Sequence, residues 1–258
     1  MQTLVLKVGG ALLDNPQAMD NLLTALCTFR QHSRRDVVIV HGGGVVVDNL
    51  MAQLNLPVRK KHGLRITPSD HINPVVGALA GTANKTLLAQ ALQKHLNAVG
   101  LCLGDGHMTH AVQIDVDLGH VGQVEPYDAT LLRTLLHAGF LPLISSIGMD
   151  SRGRLMNINA DQAAVCVAKL LQAQLVFLSD VEGVLDSTGQ CMPHLTRTQI
   201  DAFIQDGVIR DGMAVKVNAA WQVAYDLGQP VIIASWKNSD KLTALLAGEP
   251  IGTMIQAN

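Results

Sequence analysis

Lys7-Val8-Gly9-Gly10 closes an apolar run with a lysine beside two glycines. Glycine lets backbone N–H groups close on an anion, and ligands of open α/β sheets sit beyond the C-terminal ends of the strands. That pairing suits phosphate; the plainer use of the same residues is a tight strand-to-helix turn with a lysine reaching solvent. Gly42-Gly43-Gly44 repeats the logic after a second apolar run, with a helix start behind it to favour negative charge. His41-Gly42-Gly43-Gly44 also has the form of an esterase oxyanion motif. That chemistry needs a Gly-x-Ser-x-Gly nucleophile elbow, and the sequence has none.

Further along, Gly81-Thr82-Ala83-Asn84-Lys85-Thr86 imitates a P-loop end but fails its spacing, so Lys85 reads as a helix surface residue. Gly104-Asp105-Gly106 opens like a dinucleotide fingerprint and lacks the third glycine, at Thr109. Asn159 is a ready N-cap and Asp161 suits the first helical turn, worth about 0.3–1 kcal/mol against the dipole. Capping leaves Asn157 unexplained. Lys216, read as first-turn in the helix after Asp211-Gly212-Met213, is either a solvated lysine or a partner for an anion at that helix end. Arg65 is likewise either solvated or a carboxylate clamp. His107, His110 and His120 lack convincing metal spacing, and no nucleophile stands out.

Strands are expected at 3–8, 37–40, 98–103, 141–145, 175–178 and 231–234, alternating with helical stretches. One helix is expected from Gly10 to about Arg30, and others over 45–54, 69–79, 82–95, 128–137, 160–171, 198–206 and 213–227. Residues 57–67 suit a hairpin flap, and 107–124 short antiparallel strands. Two strand-glycine-helix passages within 55 residues argue for βαβ units and a parallel sheet. Turn clusters around 146–154 suggest two lobes of one fold.

Of 258 residues, 48% are hydrophobic and 16% charged, which disfavours extensive disorder and suits strands covered on both faces. A net charge of −2 with 3% aromatics gives no support for a nucleic-acid surface. Cys27, Cys102, Cys166 and Cys191 are scattered without a Cys-x-x-Cys pair, which fits reduced thiols. No signal peptide or uninterrupted apolar span is evident, so a cytoplasmic protein without a membrane partner is expected.

Taken in order, these segments resemble the amino-acid kinase family over nearly the whole chain. The resemblance runs through Lys7-Gly10, His41-Gly44, Gly63-Thr67, Gly119-Gly122, Asn157-Asp161, Leu178-Asp186 and Gly212-Lys216. Each piece alone is weak, and the ordered set is specific. The Arg65 flap with Asn157 and Asp161 favours the branch acting on N-acetyl-L-glutamate. The resemblance implies a three-layer αβα sandwich around a mainly parallel sheet, with an amino-acid lobe of about 1–170 and an ATP lobe of about 171–258. It implies that Gly43, Gly44, Arg65 and Asn157 hold N-acetyl-L-glutamate. Gly10, Asp180, Val181, Glu182, Gly183, Val184 and Leu185, with Val208, Ile209 and Arg210, would hold ATP, used with Mg²⁺. Lys7 and Lys216 would touch the transferring phosphoryl group and Asp161 would orient both.

The implied reaction makes an acyl phosphate, N-acetyl-L-glutamyl 5-phosphate, on the arginine route. Asp211 stands where glycine is common in the family, and Ile66 where valine is usual. The sequence begins almost at its first strand, so the N-terminal helix of arginine-sensitive hexamers has no counterpart, and a homodimer with little arginine feedback is expected. A kinase for an aminoadipate-type substrate and a non-catalytic sensor are the alternative readings.

Overall fold

A computed structural model describes residues 2–33, 35–61 and 63–257. Strand β1 (Leu4–Val8) leads through Gly9 into the one-turn helix α1 (Gly10–Leu13) and then α2 (Pro16–His32). The single helix expected here is broken because Asn15 caps α2, its Oδ1 accepting from Ala18 N at 3.1 Å, with Pro16 in the first helical position. Strand β2 (Val37–His41) feeds α3 (Gly44–Gln53). The flap is a short hairpin of β3 (Lys60–Lys61) and β4 (Leu64–Arg65); His62, within it, lies outside the described residues.

The two helices expected over 69–95 form one continuous run of α4 (Ile72–Val76), a π-helical stretch (Gly77–Ala83) and α5 (Asn84–Gln93). Gly81 weakens that run by about 1 kcal/mol relative to alanine without ending it. Strands β5 (Ala98–Cys102), β6 (Thr109–Gln113) and β7 (Val121–Pro126), helix α6 (Thr130–His137) and β8 (Leu141–Ser145) follow. The hairpin of β9 (Ile147–Met149) and β10 (Leu155–Ile158) was not anticipated; Asp150 Oδ1 closes its turn by accepting from Arg152 N and Arg154 N. Next come α7 (Ala160–Leu171), β11 (Gln174–Ser179), β12 (His194–Leu195), α8 (Arg197–Gln205) and α9 (Asp211–Leu227). The chain ends through β13 (Val231–Ser235), α10 (Ser239–Ala247) and β14 (Thr253–Ile255).

Eight strands form the main sheet in the order β12-β14-β13-β11-β1-β2-β8-β5. All neighbours are parallel except β13 and β14, so the sheet is mixed at one end and parallel through its middle. Side chains alternate faces along a strand, and β1 separates two cores accordingly. Leu4, Leu6 and Val8 pack with α2, α5 and α10. Val5 packs on the other face with Val38, Val40 and the alanines of α7, beside α6 and α9. Helices therefore cover both faces of the sheet, giving three layers. A smaller sheet, β6-β7-β10-β9, stands beside them. Among the described residues no helix is long and apolar enough to cross a membrane.

Candidate active site

Lys7 follows the parity of Val5, so its side chain lies on the face that α7 covers. Its register partners are Phe177 on β11 and Val40 on β2, in the middle of the parallel strands. Across this face Lys7 Nζ meets Asp161 Oδ1 at 2.8 Å. Asp161 is held in turn: Asn159 caps α7, its Oδ1 accepting from Asp161 N at 2.9 Å and Gln162 N at 3.3 Å. The Lys7 ammonium lies over the glycine turn, since a Cβ on Gly9 would be 3.7 Å from Nζ. The turn after β2 is close by, because a Cβ on Gly10 would be 3.8 Å from Gly44 N.

Lys216 is the sixth residue of α9, in its second turn rather than its first, so it does not oppose the exposed N–H groups of that helix end. Its Nζ donates to Ser179 Oγ at 3.1 Å and lies 3.4 Å from Asp180 Oδ1. Asp161 thus pairs with Lys7, while Ser179 and Asp180 hold Lys216; one carboxylate does not hold both lysines in this structure. Partial burial alone would raise the Asp180 pKa, but hydrogen bonds from Ser179 and its own backbone, with the Lys216 ammonium, hold it below the usual carboxylate range. Lys7, Asp161, Ser179 and Lys216 line one cavity of about 270 Å³, with Phe177 and Val215 among its apolar walls.

A second cavity, of about 200 Å³, is lined by Gly42, Gly43, Gly44, Arg65, Asn157, Asn159 and Ala160. The N-terminal turn of α7 borders both cavities, Ala160 lining one and Asp161 the other. Gly43 adopts φ +154°, and a Cβ there would meet Leu79 Cδ2 at 3.1 Å and Ala83 Cβ at 3.2 Å. Only 10% of the Arg65 side chain is exposed; its Nη2 lies 2.6 Å from Asp48 Oδ1, and Nη1 has no hydrogen-bond partner among the described residues. Arg65 lines this cavity, and a buried guanidinium nitrogen left without a partner favours an oxygen anion brought within its reach. Asn157 Nδ2 donates to Thr67 Oγ1 at 3.2 Å.

The segments expected to hold the nucleotide follow β11 and precede α9. Val184 and Ile209 share a buried cluster with Val217 and Ile233, which draws the two loops together. Their side chains are core, so these two can offer a ligand only backbone groups. Gly183 has φ +153°, and Val184 N donates to Thr253 Oγ1 at 2.8 Å. Glu182 pairs with Lys241 at 2.6 Å. None of Gly10, 180–185 or 208–210 lines the two cavities described above.

Lys85, the P-loop look-alike, is exposed on α5, its Nζ donating to Asn84 Oδ1 and Gly100 O. A larger cavity, about 780 Å³, is lined by Arg30, Arg35, Asp36, Asn97 and Gly139, at the opposite ends of β2, β5 and β8 from the glycine turns. Volume alone would misplace the site. Polar convergence at the strand C-termini marks it instead.

The model of the amino acid kinase family matches residues 2–235. The chain belongs to the amino acid kinase family. Within it, the chain is 59% identical to the acetylglutamate kinase of Pasteurella multocida (strain Pm70), covering 99% of this chain and 100% of that one. Among solved structures it is similar to smu.665 from Streptococcus mutans UA159, at 28% identity and a TM-score of 0.76, covering 99% of each chain. Carbamate kinase from Giardia lamblia bound to AMP-PNP matches at 18% identity and a TM-score of 0.66, covering 100% and 99%, and supports the amino acid kinase fold alone. Three residues at this site were given no role from the sequence: Asp48 beside Arg65, and, although they fall within the motif segments, Ser179 beside Lys216 and Thr67 beside Asn157. Each is a common polar residue whose partner lies 17, 37 or 90 positions away.

Proposed function

We propose that this chain transfers the γ-phosphoryl group of ATP to the side-chain carboxylate of N-acetyl-L-glutamate, giving N-acetyl-L-glutamyl 5-phosphate in arginine biosynthesis. One observation carries the reading: the start of α7 lines two neighbouring cavities, one shared with Arg65 and Asn157, the other with Lys7 and Lys216. The similarity to acetylglutamate kinases supports the same substrate.

Arg65 takes the α-carboxylate, Asn157 the acetamido group, and the Gly43-Gly44 backbone the side chain that points toward Lys7. A glutamate-type carboxyl has a pKa near 4.3, so the nucleophile is ionised at pH 7 and no general base is needed. A carboxylate oxygen attacks Pγ in line, the bond from Pγ to the bridging oxygen breaks, and ADP carries away the electron pair. Lys7 and Lys216 stabilise the charge that develops on the phosphoryl oxygens, and Asp161 fixes Lys7 without taking a proton. The 180–185 and 208–210 loops, with Gly10, hold the nucleotide, which divides the molecule into an amino-acid lobe and an ATP lobe. Mg²⁺, which neutralises phosphate charge when bound, would enter on the nucleotide. Among the described residues no group of three or more His, Cys, Asp or Glu side chains could hold a metal, and Mg²⁺ commonly takes phosphate oxygens with one or two carboxylates. The protein is cytoplasmic and homodimeric in this reading; the edge position of β5 leaves one strand side for a second copy.

ADP release measured with N-acetyl-L-glutamate, glutamate, aspartate, carbamate and N-acetyl-aminoadipate tests the substrate. Preference for N-acetyl-L-glutamate is expected. Preference for another acceptor overturns the substrate assignment, and ligand binding without ADP release would make the chain a sensor.

A further inference from the structure

We propose that Thr67 is the positioning residue that decides which face of the Asn157 carboxamide the bound amino acid meets. The inference rests on the substrate reading above. Thr67 is fully buried, and its backbone is held on both sides: N donates to Leu118 O at 2.9 Å, and O accepts from His120 N at 2.6 Å. A Cβ on Gly119 would clash with Thr67 O, and Gly119 has φ +69°, so this approach requires glycine. His120 O then accepts from Asn157 N at 2.8 Å. One short chain of backbone bonds thus fixes the flap's last residue relative to β10.

Within that frame the hydroxyl has one proton to give, and gives it to Arg65 O at 2.9 Å. Its oxygen can then only accept from Asn157, and it accepts from Nδ2 at 3.2 Å. The reverse orientation would set two oxygens against each other. One of the two Nδ2 protons goes to Thr67, which fixes the orientation of the amide; Asn157 Oδ1 has no protein hydrogen-bond partner among the described residues, and Asn157 lines the amino-acid cavity. The site therefore offers an acceptor suited to the N–H of an N-acyl group. Thr67 also ties this amide to the backbone of Arg65, so both recognition side chains share one anchor.

The test is steady-state kinetics of Thr67→Val and Thr67→Ser, alone and in an Asn157→Ala background. Thr67→Val should raise KM for N-acetyl-L-glutamate about tenfold, with kcat and KM for ATP within about twofold. Thr67→Ser, which keeps the hydroxyl, should restore KM, and Thr67→Val should add nothing once Asn157 is alanine. Thr67→Ala replaces the valine variant if that one does not fold. An unchanged KM in the hydroxyl-less variant, a serine variant equally impaired, or an effect that persists without Asn157 overturns the role. Failure of the wild type to use N-acetyl-L-glutamate overturns the substrate reading and this inference together; wild-type turnover with an unaffected variant overturns Thr67 alone.

Discussion

In the proposed reaction two lysines from opposite parts of the chain carry the charge stabilisation, and each is paired with its own carboxylate, Lys7 with Asp161 and Lys216 with Asp180. Lys7→Ala and Lys216→Ala should each lower kcat by about 100-fold, from the roughly 3 kcal/mol that one preorganised donor contributes to a transition state. KM for both substrates should change far less, and initial-rate kinetics separate the two effects. Arg65→Ala should instead raise KM for the amino acid, because its contact is the same in ground and transition states. Asp211, the first residue of α9, adopts φ +49°. Asp211→Gly relieves a left-handed strain of about 1–2 kcal/mol but loses a favourable dipole contact of about 0.3–1 kcal/mol and adds backbone entropy. These nearly cancel, so urea unfolding should place Asp211→Gly within about 1 kcal/mol of the wild type, whereas Asp211→Ala, keeping the strain without the carboxylate, should be less stable than either.

At the scale of elements, the end of β2 is anchored by a buried polar network. His41 is fully buried; its Nδ1 donates to Gly42 O at 2.8 Å and its Nε2 accepts from Asn84 Nδ2 at 2.9 Å, while Asn84 also donates to Leu143 O on β8. Burial pushes the imidazole down from 6.5 to about 4, with Lys85 adding to the effect and the Gly42 carbonyl opposing it. A base whose pKa is depressed by folding takes its proton first in the unfolded chain. Its contribution is therefore complete above about pH 6.5 and is lost as the pH falls toward 4, on the order of 3 kcal/mol across that window. Unfolding free energy measured at pH 7 and pH 5 should fall in the wild type, and the fall should be smaller in His41→Gln. The π-helical stretch matters for the same loop, since Leu79 and Ala83 close on Gly43. Gly43→Ala should raise KM for the amino acid, with a stability loss of about 1–3 kcal/mol from the crowded Cβ.

For the whole molecule, a ligand seated between the flap and the sheet binds the folded chain only. N-acetyl-L-glutamate at 100 times its Kd should add about 2.7 kcal/mol of stability, raising Tm by roughly 5–10 °C for a chain of this size. Arg65→Ala at the same ligand concentration should show little of that shift by calorimetry, while keeping its response to ATP. That contrast separates the amino-acid end of the molecule from the nucleotide end.

The sequence by itself determined the alternation of strands and helices, the glycine turns and the ordered motif set, because periodicity and turn chemistry are local. It also determined the parity that sets Lys7 opposite Leu6 and Val8 in β1. Local signals failed where long-range packing took over. The π-helical bridge across Gly81, the β9–β10 hairpin and the place of Lys216 within α9 depend on neighbours distant in the chain. Only the tertiary structure decided that α7 covers the Lys7 face and so brings Asp161 to it, that Lys216 goes to Ser179 and Asp180, and that Thr67 stands between Arg65 and Asn157. The reason is physical: a strand's pattern fixes which face a side chain takes, but the partner across that face is chosen by which helix packs there.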